Sequence, residues 1–177
     1  HGAYLRFLPV DRHPITLEAD MCCDSAHKTL PVLTGGAYLH IASDAPEDLT
    51  QNVRSALAMF GSTSPSYLVL ESLDAANDYL ENCRAGIAKA VKLADELKAQ
   101  LTDHGYSLTG DEPLKLTVCP KSYGYTGTAL AAELEKMGIF CEFADPDHLV
   151  MMLPCNMQIG EVCSILYAMK NIPHLDP

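Results

Sequence analysis

The sequence has 177 residues, is 48% hydrophobic and carries a formal net charge of −11, from 12 Lys plus Arg against 23 Asp plus Glu. That length supports one ordinary hydrophobic core or two small ones, while the acidic balance and the lack of a basic run argue against a nucleic-acid surface. No apolar run approaches the roughly 18 residues that a membrane-spanning helix needs.

The negative charge is spread along the chain, so it reads first as solubility and only weakly as steering of cationic small molecules. Cysteines stand at 22, 23, 83, 119, 141, 155 and 163, an odd number with no C-x-x-C pair, several of them inside apolar runs. Free thiols in a reducing, cytoplasmic compartment fit this pattern better than a disulfide framework. A zinc site built from Cys141, Cys155 and His148 would lack the close ligand pairs typical of such sites, so no metal ligand is assigned. The first residue is His1 rather than Met and no signal-peptide-like segment follows, so the natural start is expected elsewhere.

In chain order, residues 19–23 and 37–42 are short, mostly apolar and flanked by turn formers, which predicts two strands of a covered sheet. The loop between them contains Pro31 and the pair Gly35-Gly36, which oppose a continuous helix. Leu49, Val53, Leu57 and Phe60 at helical spacing predict a helix over 47–59. Ser64 and Pro65 then suggest the cap and first position of a helix bearing Val69, Leu70, Leu73 and Ala76. A longer helical pattern through Ile87, Val91, Ala94, Leu97 and Leu101 ends at Gly105 and could connect two domains. Beyond Gly110 the order is a strand at 114–119, a helix with Leu130, Leu134 and Met137 that stops at Gly138, and a strand at 139–143. A turn at Asp145-Pro146-Asp147, a strand at 149–153 and a last helix through Ile159 to Met169 complete it. A small α/β sandwich over 106–172 is the natural product.

The stretch "DSAHKTLPVLTGG", residues 24–36, concentrates the chemistry. A lysine after a strand is usually only a solvated residue. Here Ser25 and His27 add a hydroxyl and an imidazole, giving two anion-binding donors beside one amine. A phosphate with an attached aldehyde would suit that set. A lysine with an unperturbed pKa of about 10.4 is protonated at neutral pH and does not attack carbonyls as an amine. Covalent capture by an aldehyde changes that.

These residues resemble a family. "DSAHKTLPVLTGGAYLHI" is similar to the cofactor-lysine motif of the fold-type-I, pyridoxal-phosphate-dependent ornithine/lysine/arginine decarboxylases. "STSPSYLVLESLDAAN" is similar to that family's hydroxyl-rich loop and following helix, and "SYGYTGTALAAELEKMGIFCEFADPDHLVMML" to its small domain. The three matches occur in the family's order, across residues 1 to 153.

The resemblance implies an α/β chain: residues 1–78 as the C-terminal part of a large domain of the aspartate-aminotransferase fold, 79–105 as a connecting helix and 106–177 as a small α/β domain. It implies pyridoxal 5'-phosphate as cofactor, with Lys28 as the Schiff-base lysine and Ser25 and His27 at the cofactor phosphate. Ser62 and Ser64 would reach the phosphate bound in the partner subunit of a homodimer or higher homo-oligomer. A hydroxyl-rich turn entering a helix does offer N–H groups and a favourable dipole to an anion, although Ser64 could equally just cap its helix. The implied reaction is decarboxylation of ornithine, lysine or arginine, releasing carbon dioxide and a polyamine precursor.

One departure accompanies the match. The family's acidic partner of the pyridine nitrogen lies in Asp-x-Ala-His, and "HGAYLRF" resembles the continuation of that motif from its histidine, which would put the Asp three positions before residue 1. The upstream phosphate loop and the ring that stacks on the cofactor are not found either. The sequence therefore reads as an internal fragment that would be inactive alone, because the protonated pyridine needs its carboxylate. Two other readings stay open: another fold-type-I activity, such as an aminotransferase or aldolase-type lyase, and a non-catalytic binding or oligomerisation module. His40 and His148 read as structural or solvent-facing, Tyr123 and Tyr125 as packing residues, and Glu142 and Asp145 are not assigned to a pocket.

Overall fold

A computed structural model describes residues 2–175 of the chain. Helices and sheets mix in two compact units, with the division between Ile87 and Ala88.

The first unit begins with a 3-10 segment, Gly2–Phe7, that buries Ala3 and Tyr4. Strands β1 (Met21–Asp24) and β2 (Tyr38–Ile41) pair antiparallel, with Cys22 opposite His40 and Asp24 opposite Tyr38. Because side chains alternate along a strand, these four residues share one face, and Met21, Cys23, Leu39 and Ile41 share the other. Helix α1 (Glu47–Phe60) follows Pro46 and places Glu47 and Asp48 in its first turn, where they complement the helix dipole. None of its residues is buried: its apolar stripe of Leu49, Val53, Leu57 and Phe60 lines an open groove with Met21 and Leu39.

Helix α2 (Tyr67–Asp103) runs for 37 residues, about 55 Å at the usual rise. The sequence suggested two helices here and a cap at Ser64. A single helix forms because no proline interrupts 67–103, and a lone Gly86 lowers helix propensity by only about 1 kcal/mol. Its first turn is closed by the Leu70 N–H donating to the Ser66 carbonyl at 3.1 Å, so Ser64 lies outside it. The helix stops at Gly105, whose φ of +107° suits glycine, with the Tyr106 N–H donating back to the Leu101 carbonyl at 3.0 Å.

The second unit contains a four-stranded antiparallel sheet in the order β3 (Ser107–Thr109), β4 (Lys115–Cys119), β6 (Leu149–Met152), β5 (Phe143–Ala144). Alternate residues Leu116 and Val118 of β4, and Leu149 and Met151 of β6, are buried. Helices α3 (Gly127–Glu135) and α4 (Ile159–Asn171) contribute buried Leu130, Leu134, Val162 and Met169. The strand expected over 139–143 is reduced to two residues. Ile139 closes the exit of α3 instead, its N–H donating to the Leu134 carbonyl at 3.0 Å, so it does not pair. Strand β3 is too short and too polar to show in the sequence pattern. Among the described residues, no helix is long and apolar enough to cross a membrane.

Candidate active site

Strand β1 ends at Asp24, and the chain turns at once through a single 3-10 turn, Ala26–Lys28. Ser25 leads into it in extended conformation, and its carbonyl accepts from the Lys28 N–H at 3.2 Å. Ala26 and Leu30 are buried and anchor the turn, while Ser25, His27 and Lys28 are half-buried. Residues three apart eclipse in 3-10 geometry, so Ser25 and Lys28 lie on one side of the turn. The tight backbone thus carries the hydroxyl, imidazole and amine on four consecutive residues of one turn.

His27 is held from the far side of the loop. The Gly36 carbonyl accepts from its backbone N–H at 3.3 Å and from ring Nδ1 at 2.9 Å. A carbonyl only accepts, so the Nδ1 proton is fixed, and Nε2 is the ring atom that becomes a donor when the imidazole is charged. A Cβ at position 36 would strike Cγ1 of Val32, which explains the glycine in this buried spot. The loop is tied to α2 by the Leu33 N–H donating to Ser72 Oγ at 3.1 Å and by the Tyr38 hydroxyl donating to the Leu73 carbonyl at 2.6 Å.

The next residue, Thr29, is 9% exposed, and among the described residues its hydroxyl has no hydrogen-bond partner. An unpaired buried hydroxyl is unfavourable by about 1–3 kcal/mol. Sequence reasoning passed over it, because burial without a partner leaves no mark in the residue pattern. This donor set of amine, anchored imidazole, serine hydroxyl and unpartnered threonine hydroxyl fits a phosphorylated aldehyde such as pyridoxal phosphate.

Ser62 and Ser64 lie elsewhere, on the exposed connection from α1 to α2, where the Ser64 N–H donates to Ser62 Oγ at 3.1 Å. Both residues are exposed.

A second cluster stands immediately before Ser25. Buried Asp24 accepts from His13 Nε2 at 2.8 Å, and His40 Nε2 lies 3.3 Å from the same Oδ2. Cys22 Sγ is 3.8 Å from His13 Nε2. Burial is the main influence on His40 and lowers its pKa, with the Asp24 carboxylate opposing that shift. Burial likewise raises the Cys22 thiol, and Asp24 raises it further. The signal available in the sequence was Cys22-x-Asp24 on one strand face, but His13 and His40 are too distant in the chain to have been joined to it.

The chain matches the family model described as Orn/Lys/Arg decarboxylase, major domain, over residues 1–117. It is 33% identical over 171 residues to the Bacillus subtilis (strain 168) protein YaaO, covering 87% of this chain and 34% of that one. It is 31% identical over 144 residues to an arginine decarboxylase of Halalkalibacterium halodurans, covering 78% of this chain and 28% of that one. The crystal structure of the Francisella novicida lysine decarboxylase LdcF superposes with a TM-score of 0.75 at 18% identity, covering 94% of this chain and 30% of that one. The fold is that of the type-I pyridoxal-phosphate enzymes. The chain spans about a third of the length of the curated relatives it matches.

Proposed function

Because this chain belongs to the Orn/Lys/Arg decarboxylase family, we propose that it supplies the lysine-bearing part of a pyridoxal-phosphate-dependent decarboxylase that acts on ornithine, lysine or arginine. The observation that carries this reading is the turn after β1, where Ser25, His27 and Lys28 lie together and the buried Thr29 hydroxyl has no partner.

When bound, pyridoxal phosphate supplies an electron sink for the charge left on the α-carbon as carbon dioxide departs. The chain's own residues have narrower tasks. Lys28 Nζ would hold the cofactor aldehyde, and as a free amine it would hand a proton to the substrate's α-carbon. Ser25 Oγ and His27 Nε2 would donate to the phosphate, and the Gly36 carbonyl, held by Nδ1, would keep the His27 ring oriented for that contact. Half-burial of the turn limits access of water to Lys28. In a homodimer or larger homo-oligomer, Ser62 and Ser64 donate to the phosphate held by the other subunit, which accounts for hydroxyls held in an exposed position within one chain. The whole protein works in the cytoplasm and its product is a diamine or agmatine.

Borohydride reduction of the full-length protein in the presence of pyridoxal phosphate, followed by peptide mass spectrometry, should place the label on Lys28. Label spread over surface lysines, or none on Lys28, sinks the proposal. Carbon dioxide release from each of the three amino acids then names the substrate, and amino transfer without carbon dioxide would favour another type-I activity.

A further inference from the structure

We propose that His13, Cys22, Asp24 and His40 form a binding site for one divalent cation of borderline softness, zinc or its cobalt analogue. The site follows from topology before any distance is considered. Cys22 and Asp24 are two apart on β1 and share a face, and His40 is the cross-strand partner of Cys22 on that same face. His13 closes the set from the segment preceding β1, with its side chain buried.

The distances agree with a tetrahedral centre. Ligand bonds of about 2.0–2.3 Å put tetrahedral donors about 3.3–3.8 Å apart. Here His40 Nε2 to Asp24 Oδ2 is 3.3 Å, Cys22 Sγ to His13 Nε2 is 3.8 Å, and His13 Nε2 to Asp24 Oδ2 is 2.8 Å. The ligand atoms of His13, Cys22 and Asp24 all lie within 4.8 Å of one another. To admit the ion the His13–Asp24 pair must open by about half an ångström, and the half-exposed His40 ring, which stands outside that group of three but touches Asp24, must swing inward to become the fourth ligand. Two imidazoles, a thiolate and a carboxylate select zinc-like ions over calcium or magnesium, which take oxygen ligands.

Access and charge are also suitable. A cavity of about 130 Å³ lined by Arg6, Tyr38, His13 and His40 leads to the cluster. Arg6 opposes a cation, but the carboxylate and thiolate together offset the ion's two charges. On binding, the Cys22 thiol releases its proton to solvent. The proton on His13 Nε2 moves to Nδ1, which gives up a long 3.3 Å hydrogen bond from the Ile15 N–H. The ion would clamp β1 to β2 one residue before Ser25 and so brace the Lys28 turn. This inference does not depend on the cofactor reading, because its measurements involve neither pyridoxal phosphate nor Lys28.

The test is titration of the purified full-length protein with cobalt, watched by absorption. One equivalent should produce a sulfur-to-cobalt charge-transfer band with intense tetrahedral ligand-field bands. Cys22→Ser should abolish the charge-transfer band. His40→Ala, at a half-exposed position that leaves the core intact, should weaken binding by well over about a hundredfold, beyond the roughly 10- to 100-fold that loss of an outer-sphere partner gives. Cys23→Ser, changing the exposed neighbour on the opposite face, should alter neither. A second measurement needs no variant: stoichiometric zinc should shield Cys22, and not Cys23, from alkylation as read by mass spectrometry. Absence of the band, its persistence in Cys22→Ser, or unchanged alkylation of Cys22 overturns the site.

Discussion

The carbonyl of Gly36 holds His27 twice, through the backbone N–H at 3.3 Å and through ring Nδ1 at 2.9 Å. The loop from Thr29 to Gly35 is thereby folded back on the turn that carries Lys28, and the imidazole is fixed before any ligand arrives. If His27 donates to the cofactor phosphate, His27→Ala removes one charge-assisted hydrogen bond, about 1.5–3 kcal/mol or roughly 10- to 100-fold in cofactor affinity. Borohydride labelling of Lys28 against pyridoxal phosphate concentration measures it. An unchanged half-saturation point would remove His27 from the site.

Gly36→Ala attacks the same contact from the other end. The new methyl meets Cγ1 of Val32 and lies 3.2 Å from the Leu33 carbonyl oxygen. Overpacking of this kind is unfavourable by about 1–3 kcal/mol, so the midpoint of urea unfolding should fall. His27 loses its orientation along with it, so Lys28 labelling should weaken in parallel. A variant as stable as the parent would mean that the loop relaxes freely.

Thr29→Val separates stability from ligand binding. The hydroxyl is buried with no partner among the described residues, so its replacement by a methyl should stabilise the ligand-free chain by about 1 kcal/mol or more. Cofactor retention should move in the opposite direction, since the proposed donor set then lacks that hydroxyl. Thermal melts with and without pyridoxal phosphate reveal both signs. Destabilisation of the ligand-free protein would show that the hydroxyl already has a partner.

The sequence made some of this architecture plain and concealed the rest for identifiable reasons. Helices α1, α3 and α4 declared themselves through apolar periodicity and bounding Pro and Gly, and the lysine turn through Ser25, His27 and Lys28 lying within four residues. The continuity of α2 was hidden because Ser64-Pro65 is a persuasive start signal that the chain uses only as an approach to Tyr67. Strand β3 was invisible because three residues carry too little pattern. The His13–Asp24–His40 cluster and the unpartnered Thr29 hydroxyl arise from tertiary packing, which spacing along the chain does not encode.

Tyr106 offers a test of the second unit's core. It is 1% exposed, stacks on Tyr123 with centroids 4.0 Å apart, and donates to the Met169 carbonyl at 2.9 Å. Burial, with Tyr123 nearby, drives its phenol pKa well up, so it remains a donor across the ordinary range. Tyr106→Phe keeps the ring and strands the carbonyl, a loss of about 1–3 kcal/mol. Equilibrium unfolding should register it, and an unaltered midpoint would show that the carbonyl finds another donor.

Asp145 gives the second unit an acid-sensitive joint. Its Oδ1 accepts from the His148 and Asp147 N–H groups, both at 2.7 Å, and these bonds, that from His148 foremost, hold its pKa below the ordinary 3.8. The turn they shape also receives α3: the Thr128 N–H donates to the Asp145 carbonyl at 3.2 Å, and a Cβ at Gly127 would strike the His148 and Asp145 carbonyl oxygens. For a carboxyl lowered in the folded state, the stabilisation is complete above the unfolded value of 3.8 and disappears as pH falls through the lower folded value. Asp145→Asn retains an accepting oxygen without the charge, so it should be less stable than the parent near neutrality. The two proteins should converge in acid once the pH has fallen through the lowered folded value. Urea unfolding across that range decides the matter, and a stability difference that stays constant down the acid limb would show that the Asp145 charge does not support the turn.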